Sequence, residues 1–340
     1  MKLLILGGTV FLGRHLVEAA LAQEHEVTLF NRGKHNPDLF PEVEKLRGDR
    51  DGGLDALKGR QWDAAIDTCG YLPRIVKQSA ELLADSVVHY TFISSISVYS
   101  DFSKPGLDEN YPVGTLEDTT VEEVTGETYG PLKALCEQTA EAAMPGRVLH
   151  LRSGLIVGPH DPSDRFTYWP ARVARGGRTL APGRRDKPNQ FIDARDLAEW
   201  NLRMIAANKT GIYNADGPAA PITMSQLLET CKTVSGSDAD FVWMDDTILL
   251  AHEVGPWMEV PLWVPDGGDE AGFGQGSLAK AQAVGLTYRP IADTVRDTLE
   301  WSSTRPADHV WRAGLSVERE AEILNLWDAK SSGIETQTAI

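Results

Sequence analysis

The stretch Lys2-Leu3-Leu4-Ile5-Leu6-Gly7-Gly8-Thr9-Val10-Phe11-Leu12-Gly13-Arg14-His15-Leu16 decides the fold class. The unbroken apolar run Leu3 to Leu6 reads as a strand buried on both faces, as strands of parallel sheets are. It is too short for the apolar core of a secretory signal. The run passes directly into Gly7, Gly8 and Gly13, and a helical pattern extends over 11–22. A glycine-rich turn between strand and helix lets backbone N–H groups and the positive end of the helix dipole meet a pyrophosphate. Gly7, Thr9, Val10, Phe11, Leu12 and Gly13 are therefore candidate ligand-binding residues. Val10 occupies the place of the middle glycine in a Gly-x-x-Gly-x-x-Gly loop. Taken alone, the loop is a weak signal, and a plain tight strand–helix turn is the competing reading.

Outward from this stretch, β-rich runs at 26–30, 44–47, 64–67, 89–94 and 148–152 alternate with helical patterns at 73–84 and 129–143. Such alternation predicts an α/β fold, a doubly wound parallel sheet of the Rossmann type. The character changes after Gly158-Pro159, where 163–190 carries five more basic than acidic residues. A helix near 190–205 and a strand at 211–215 read as a return to the sheet. The organisation expected is a dinucleotide-binding domain of 1–158 plus about 189–217. A smaller α+β substrate domain takes about 159–188 plus 218–330, and 331–340 forms a loose tail.

The 340 residues include 33 Lys+Arg and 49 Asp+Glu, a net charge of −16. That balance disfavours nucleic acid and anionic membrane as general partners. No apolar run approaches the roughly 20 residues of a membrane span. The three cysteines, Cys69, Cys136 and Cys231, are too dispersed for a disulfide framework or a metal pair, which fits the cytoplasm. Eight histidines without H-x-x-x-H spacing give no reason to assign a metal.

Two further runs carry chemistry. The second strand ends Phe30-Asn31-Arg32-Gly33-Lys34, where an NAD-binding unit usually places an acid for the hydroxyls of the adenine ribose. With Arg32 and Lys34 instead, the chemistry favours NADP(H) over NAD(H), unless the two are simply solvated. In Tyr129-Gly130-Pro131-Leu132-Lys133, positions i and i+4 share a helix face. A neighbouring ammonium favours the phenolate, which a phenol needs to act as acid or base near pH 7. Ser94, Ser95 and Ser97 lie at the end of the fifth strand, on the edge where open α/β sheets bind ligands. A serine there is able to hold a reacting oxygen, or merely to cap a turn.

Together these motifs resemble the short-chain dehydrogenase/reductase superfamily, in its extended, epimerase/dehydratase-like branch, over roughly 1–216. The resemblance rests on Gly7…Gly13, Gly48-Asp49-Arg50-Asp51, Ser94-Ser95-x-Ser97-Val98-Tyr99, Tyr129-Gly-x-x-Lys133, Gly158-Pro159 and Phe191-Ile192-Asp193-Ala194-Arg195-Asp196. It implies Tyr129 as acid/base, Lys133 as its partner and ribose ligand, and Ser95 as the catalytic hydroxyl with Ser97 close by. It also implies Asp49 on the adenine amino group and Arg50 beside the ring. Asn31, Thr68, Cys69 and Ser94 are expected along the cofactor, and Tyr71 toward the substrate. Val10 matches an atypical subgroup. Ile96-Ser97 stands where dehydratases carry an Asp-Glu pair, and Leu155 stands where sugar-nucleotide epimerases carry an asparagine. The expected activity is an NADP(H)-dependent oxidoreductase acting on a small carbonyl or secondary alcohol. An NAD-dependent epimerase is the alternative, and a non-catalytic relative of plastid RNA-binding members is a third reading. Arg165 or Arg172 is a candidate grip for an anionic substrate, and Tyr168 and Trp169, with Phe166, for an aromatic pocket. Solvated arginines and plain core aromatics are the competing readings. Family relatives often pair through the helices at 73–84 and 129–143, which makes a homodimer the expected assembly.

Overall fold

A computed structural model describes residues 1–331. In chain order the elements are β1 (Lys2–Leu6), α1 (Phe11–Ala22), β2 (Glu26–Asn31), β3 (Glu44–Arg47), β4 (Trp62–Asp67), α2 (Pro73–Leu83) and β5 (Val87–Ser95). Then follow α3 (Tyr129–Ala143), β6 (Val148–Ser153), β7 (Ile156–Val157), α4 (Tyr168–Ala174), β8 (Arg178–Pro182), β9 (Pro188–Asn189), β10 (Ile192–Asp193), α5 (Ala194–Ala206) and β11 (Gly211–Ala215). The remainder holds β12 (Ile222–Thr223), α6 (Met224–Ser235), β13 (Asp240–Met244), α7 (Asp246–Ala251), α8 (Ala279–Ala283), α9 (Ile291–Ser303) and α10 (Val317–Ser331).

The chain divides into two compact units. The first is Met1–Val157 with Gln190–Pro221 and Ala271–Arg289; the second is Gly158–Asn189, Ile222–Glu270 and the chain from Pro290 onward. Ala271–Arg289, read above with the smaller domain, therefore packs in the first unit. Residues 332–340, which hold nearly all of the expected tail, lie outside the described residues. Among the described residues no helix is long and apolar enough to cross a membrane.

The first unit is built on a seven-stranded sheet in the order β11-β6-β5-β4-β1-β2-β3, every pairing parallel. Side-chain alternation in β1 sorts its apolar run between two cores. Leu3 and Ile5 join the core that holds α1 and α5 residues, among them Leu16, Val17, Leu197 and Trp200. Leu4 and Leu6 join the core that holds α2 and α3 residues, among them Val76, Ala80, Cys136 and Ala140. Both faces are thus covered, which is why the run contains no polar residue. The chain leaves β1 for β2 on one side and β4 on the other, and this reversal opens a crevice above their carboxyl ends. Register sets the same edge further along: Ser95 of β5 stands opposite Ser153 of β6, which stands opposite Ala215 of β11.

In the second unit β8 pairs with β13 in parallel and β9 with β12 in antiparallel fashion. The helix α6 begins with a capping box, Thr223 accepting from Gln226 N–H while the Gln226 side chain accepts from Thr223 N–H. It ends at Gly236, whose left-handed φ of 64° closes the last turn. Buried ion pairs tie this unit together. Arg172 of α4 meets Glu320 of α10, which also accepts from Leu180 N–H at 3.0 Å. Asp164 takes Arg305, His309 and the Arg312 N–H.

Candidate active site

The glycine loop is shaped by contacts that leave no room for side chains. Gly7 and Gly8 have φ of +114° and +93°, a region that favours glycine. A Cβ on Gly13 would lie 2.8 Å from the Gly8 nitrogen, so this glycine lets α1 press against the loop. Gly7 N–H donates to Phe30 O at 2.9 Å, and Asn31 Nδ2 donates back to Gly7 O at 2.8 Å. Thr9 Oγ1 donates to His35 O, and Asn36 Nδ2 to Thr9 O, so the loop is tied to the segment after β2. Val10, exposed before the helix, makes no side-chain capping hydrogen bond to α1. A thin-walled cradle at an uncapped helix start fits the pyrophosphate of a dinucleotide. Phe11, Leu12 and Gly13 form the first turn of that helix.

Beyond β2, Arg32 and Lys34 are exposed. Arg32 Nη1 comes within 3.9 Å of Asp49 Oδ2, with both side chains about half exposed. Arg47, at the end of β3, donates to Asn31 Oδ1, and its guanidinium lies against the Gly33 backbone. This third cation was missed in the sequence. Its signal was its place at the end of a strand neighbouring β2.

Arg50, implied by the resemblance beside the adenine ring, is engaged inside the fold. Its guanidinium is buried and forks onto both Asp67 oxygens at 2.7 Å, with a further bond to Ser79 Oγ. The Tyr90 hydroxyl also donates to Asp67, at 2.8 Å. A carboxylate without exposure at the end of β4 needs a paired cation, and Arg50 meets that need from within the fold. Asp67 and Tyr90 were not foreseen, although an acid closing a buried apolar strand is itself a signal.

At the carboxyl ends of β1 and β4, Thr68 Oγ1 donates to Leu6 O at 2.8 Å. Cys69 N–H donates to Asp67, and its thiol lies 3.5 Å from Arg50 Nη1. Burial pushes that thiol up, so it remains protonated near neutrality. One strand further, Ser97 N–H donates to Ser95 Oγ at 3.1 Å, and the two hydroxyls lie 3.0 Å apart. Ser94 is buried, its Oγ without a hydrogen-bond partner among the described residues. Helix α3 runs close against this turn, because a Cβ on Gly130 would collide with Ser97 O.

Tyr129, half-buried, begins α3, and its ring lies 6.5 Å from that of Tyr71, tilted by 40°. Tyr71 is half exposed. Lys133, one turn along α3, is buried, donating to Gly70 O at 2.8 Å and Ile93 O at 2.6 Å. The ammonium sits 4.1 Å from the centre of the Phe92 ring. Of its three donors, one is left for a ligand. Burial lowers Lys133 from 10.5 to about 8, so it still carries its charge near neutrality. The first unit thus gathers the glycine loop, Thr68, Cys69, Tyr71, Ser95, Tyr129 and Lys133 along one sheet edge.

The candidates in the second unit behave otherwise. Tyr168 and Trp169 are buried, and Trp169 Nε1 donates to Pro261 O at 2.8 Å. Phe166 is fully enclosed, so these aromatics are core rather than an open pocket. Arg172 is held by Glu320 and is closed to substrate. Arg165 bonds Ser163 Oγ and lies 5.6 Å from the Trp257 ring.

Residues 74–215 match the model of the NAD dependent epimerase/dehydratase family. Epimerase family protein SDR39U1 of Bos taurus is 24% identical over 271 residues, covering 74% of this chain and 86% of that protein. The UDP-Glc/GlcNAc 4-epimerase of Campylobacter jejuni superposes with a TM-score of 0.66 at 16% identity, over 89% of this chain and 99% of that one. UDP-glucuronic acid 4-epimerase of Bacillus cereus, solved with NAD, gives 0.65 at 15% identity, over 88% and 96%. At these identities the structural likeness establishes the fold.

Proposed function

We propose that the chain, whose residues 74–215 match the model of the NAD dependent epimerase/dehydratase family, is an NADP(H)-dependent oxidoreductase of a small carbonyl compound or the matching secondary alcohol. The observation that carries this reading is the basic rim after β2. Arg32 and Lys34 are exposed there, Arg47 bonds Asn31 beside them, and Asn31 to Lys34 contains no acid. A carboxylate at this point would suit two ribose hydroxyls, whereas guanidinium and ammonium groups suit a 2′-phosphate. The bound nicotinamide would supply or accept the hydride. Tyr129 would give or take the hydroxyl proton, with Ser95 holding the reacting oxygen by a hydrogen bond. The charge of Lys133 would favour the tyrosinate, and its remaining donor would be available to a ribose hydroxyl. Leu155, buried, offers no hydrogen bond to a sugar diphosphate and argues for a smaller substrate.

A second reading, an NAD-dependent epimerase, is favoured by the Asp49 carboxylate 3.9 Å from Arg32, which partly offsets the charge offered to a 2′-phosphate. Structural neighbours solved with NAD fit the same reading. Titration of the full chain with NADPH and NADH separates the two. Binding of NADPH about tenfold or more tighter, lost in Arg32→Ala, is the expected result. A preference for NADH, or NAD that stays with the protein through purification, would move the assignment to the epimerase.

A further inference from the structure

The geometry points to Asp216 as the specificity-determining residue of a pocket, within the first unit, that takes a protonated nitrogen on a small apolar group of the substrate. This deepens the reading above, because the pocket adjoins the candidate reaction centre. Ile96, which directly follows Ser95, lines it, and so does Asp216. Asp216 is the first residue past β11, and Ala215 is in register with Ser153 and so with Ser95. Two strand spacings of about 4.8 Å separate the β5 and β11 edges.

The walls are mostly apolar, with Ile96, Phe102, Leu107 and Leu278 among them. Three of the four polar side chains on the wall, Tyr99, Asn214 and Gln190, are already satisfied. Asn214 accepts from the Tyr99 hydroxyl and donates to Leu107 O and Ser277 O. Gln190 makes a closed pair with the Gly276 backbone, donating at 3.0 Å and accepting at 2.7 Å. Asp216 is different. It is 2% exposed, and its one hydrogen-bond partner among the described residues is its neighbour's N–H, Gly217 N at 2.9 Å. The opposite backbone makes room for it: any Cβ on Gly154 would overlap the carboxyl group.

A buried carboxylate without a cation is unfavourable by several kcal/mol, and natural folds keep such groups chiefly where a ligand completes them. Among the described residues no lysine or arginine lines the pocket. Arg152, which stacks on the lining residue Tyr99, is already neutralised by Glu137 at 2.8 and 3.0 Å. Burial accordingly pushes Asp216 up to about 8, and an arriving cation would let it ionise by releasing its proton to water. Phe102 adds an aromatic face for the same charge. An anionic group would meet no positive partner among the described residues lining the pocket, and a neutral hydroxyl would gain only hydrogen bonds to the protonated acid, without the charge pairing an ammonium brings.

Calorimetric titration of the full chain near neutral pH, with and without NADP+, tests this with methylammonium and methanol, which are close in size and differ in charge. Methylammonium is expected to bind about tenfold or more tighter, with proton release seen as a buffer-dependent heat. In Asp216→Asn, which keeps the shape and removes the charge, the two ligands should bind within about twofold of each other. Equal affinities, tighter binding of the alcohol, no binding of either, or a gap that survives in Asp216→Asn would each overturn the inference. Should the variant fail to fold, the wild-type comparison with its proton release decides alone. Failure of NADP+ to bind would count against the cofactor reading only, because the amine preference is read in the nucleotide-free chain as well.

Discussion

Lys133 carries its charge inside the protein, between two carbonyl oxygens and the face of Phe92. Such a site holds the ammonium in one place and lowers its affinity for a proton, here to about 8. If Tyr129 is the acid/base that Lys133 serves, Tyr129→Phe should reduce NADPH-dependent turnover by about 10²-fold or more while leaving NADPH affinity within about twofold. A variant that kept its turnover would end the proposed mechanism. Asp216 yields a prediction of opposite electrostatic sense. Its folded carboxyl titrates near 8 rather than 3.8, so the unfolded chain gives up that proton first. Between those values the folded state holds more protons, and stability falls as pH rises, by up to about 1.4 kcal/mol per pH unit. Asp216→Asn should therefore match the wild type near the acid end of that range and exceed it clearly near the alkaline end. Thermal unfolding across the range measures the gap, and a constant gap would contradict the assignment. At this scale the Tyr129–Lys133 pair was legible because one helical turn joins the two residues. The Arg50–Asp67 fork was not, since it joins residues that only the folding of β4 brings together.

At the scale of elements, the loop between β1 and α1 has the least tolerance. Gly13→Ala would push a methyl to 2.8 Å from backbone nitrogen, which no side-chain adjustment relieves. The expected outcome is a loss of NADPH binding by about tenfold or more with the far-ultraviolet circular dichroism retained, measured by fluorescence titration. Unchanged binding would mean the loop does not cradle the nucleotide. The strand β1 was legible because burial on both faces forces an unbroken apolar run. The role of α4 was not legible from its aromatics. Tyr168 and Trp169 look alike on paper whether they line a pocket or a core, and the difference is made by Pro261 and Gly314, far along the chain.

Across the whole molecule, stability in the second unit depends on charges taken out of water. Glu320→Ala would leave Arg172 buried without its carboxylate and Leu180 N–H without its acceptor. A destabilisation of about 3–5 kcal/mol is expected in denaturant unfolding. A loss below about 1 kcal/mol would show that water reaches the pair. The two-unit division was approached from composition, through the change after Gly158-Pro159. The return of Ala271–Arg289 to the first unit carries no such mark, because α8 is a single short turn with ordinary residues.

That return has a consequence for how the protein is made. Leu278 and Ala281 complete buried parts of the first unit, and they leave the ribosome only after most of the second unit has been synthesised. The nascent chain must therefore wait, its sheet assembled but one side still open, until about fifty intervening residues have emerged. Expression of residues 1–221 alone would produce a permanently unfinished particle, with Trp200 missing its Val284 acceptor and Asn214 missing Ser277. Chaperone association during translation should accordingly peak before residue 289 appears and decline after it.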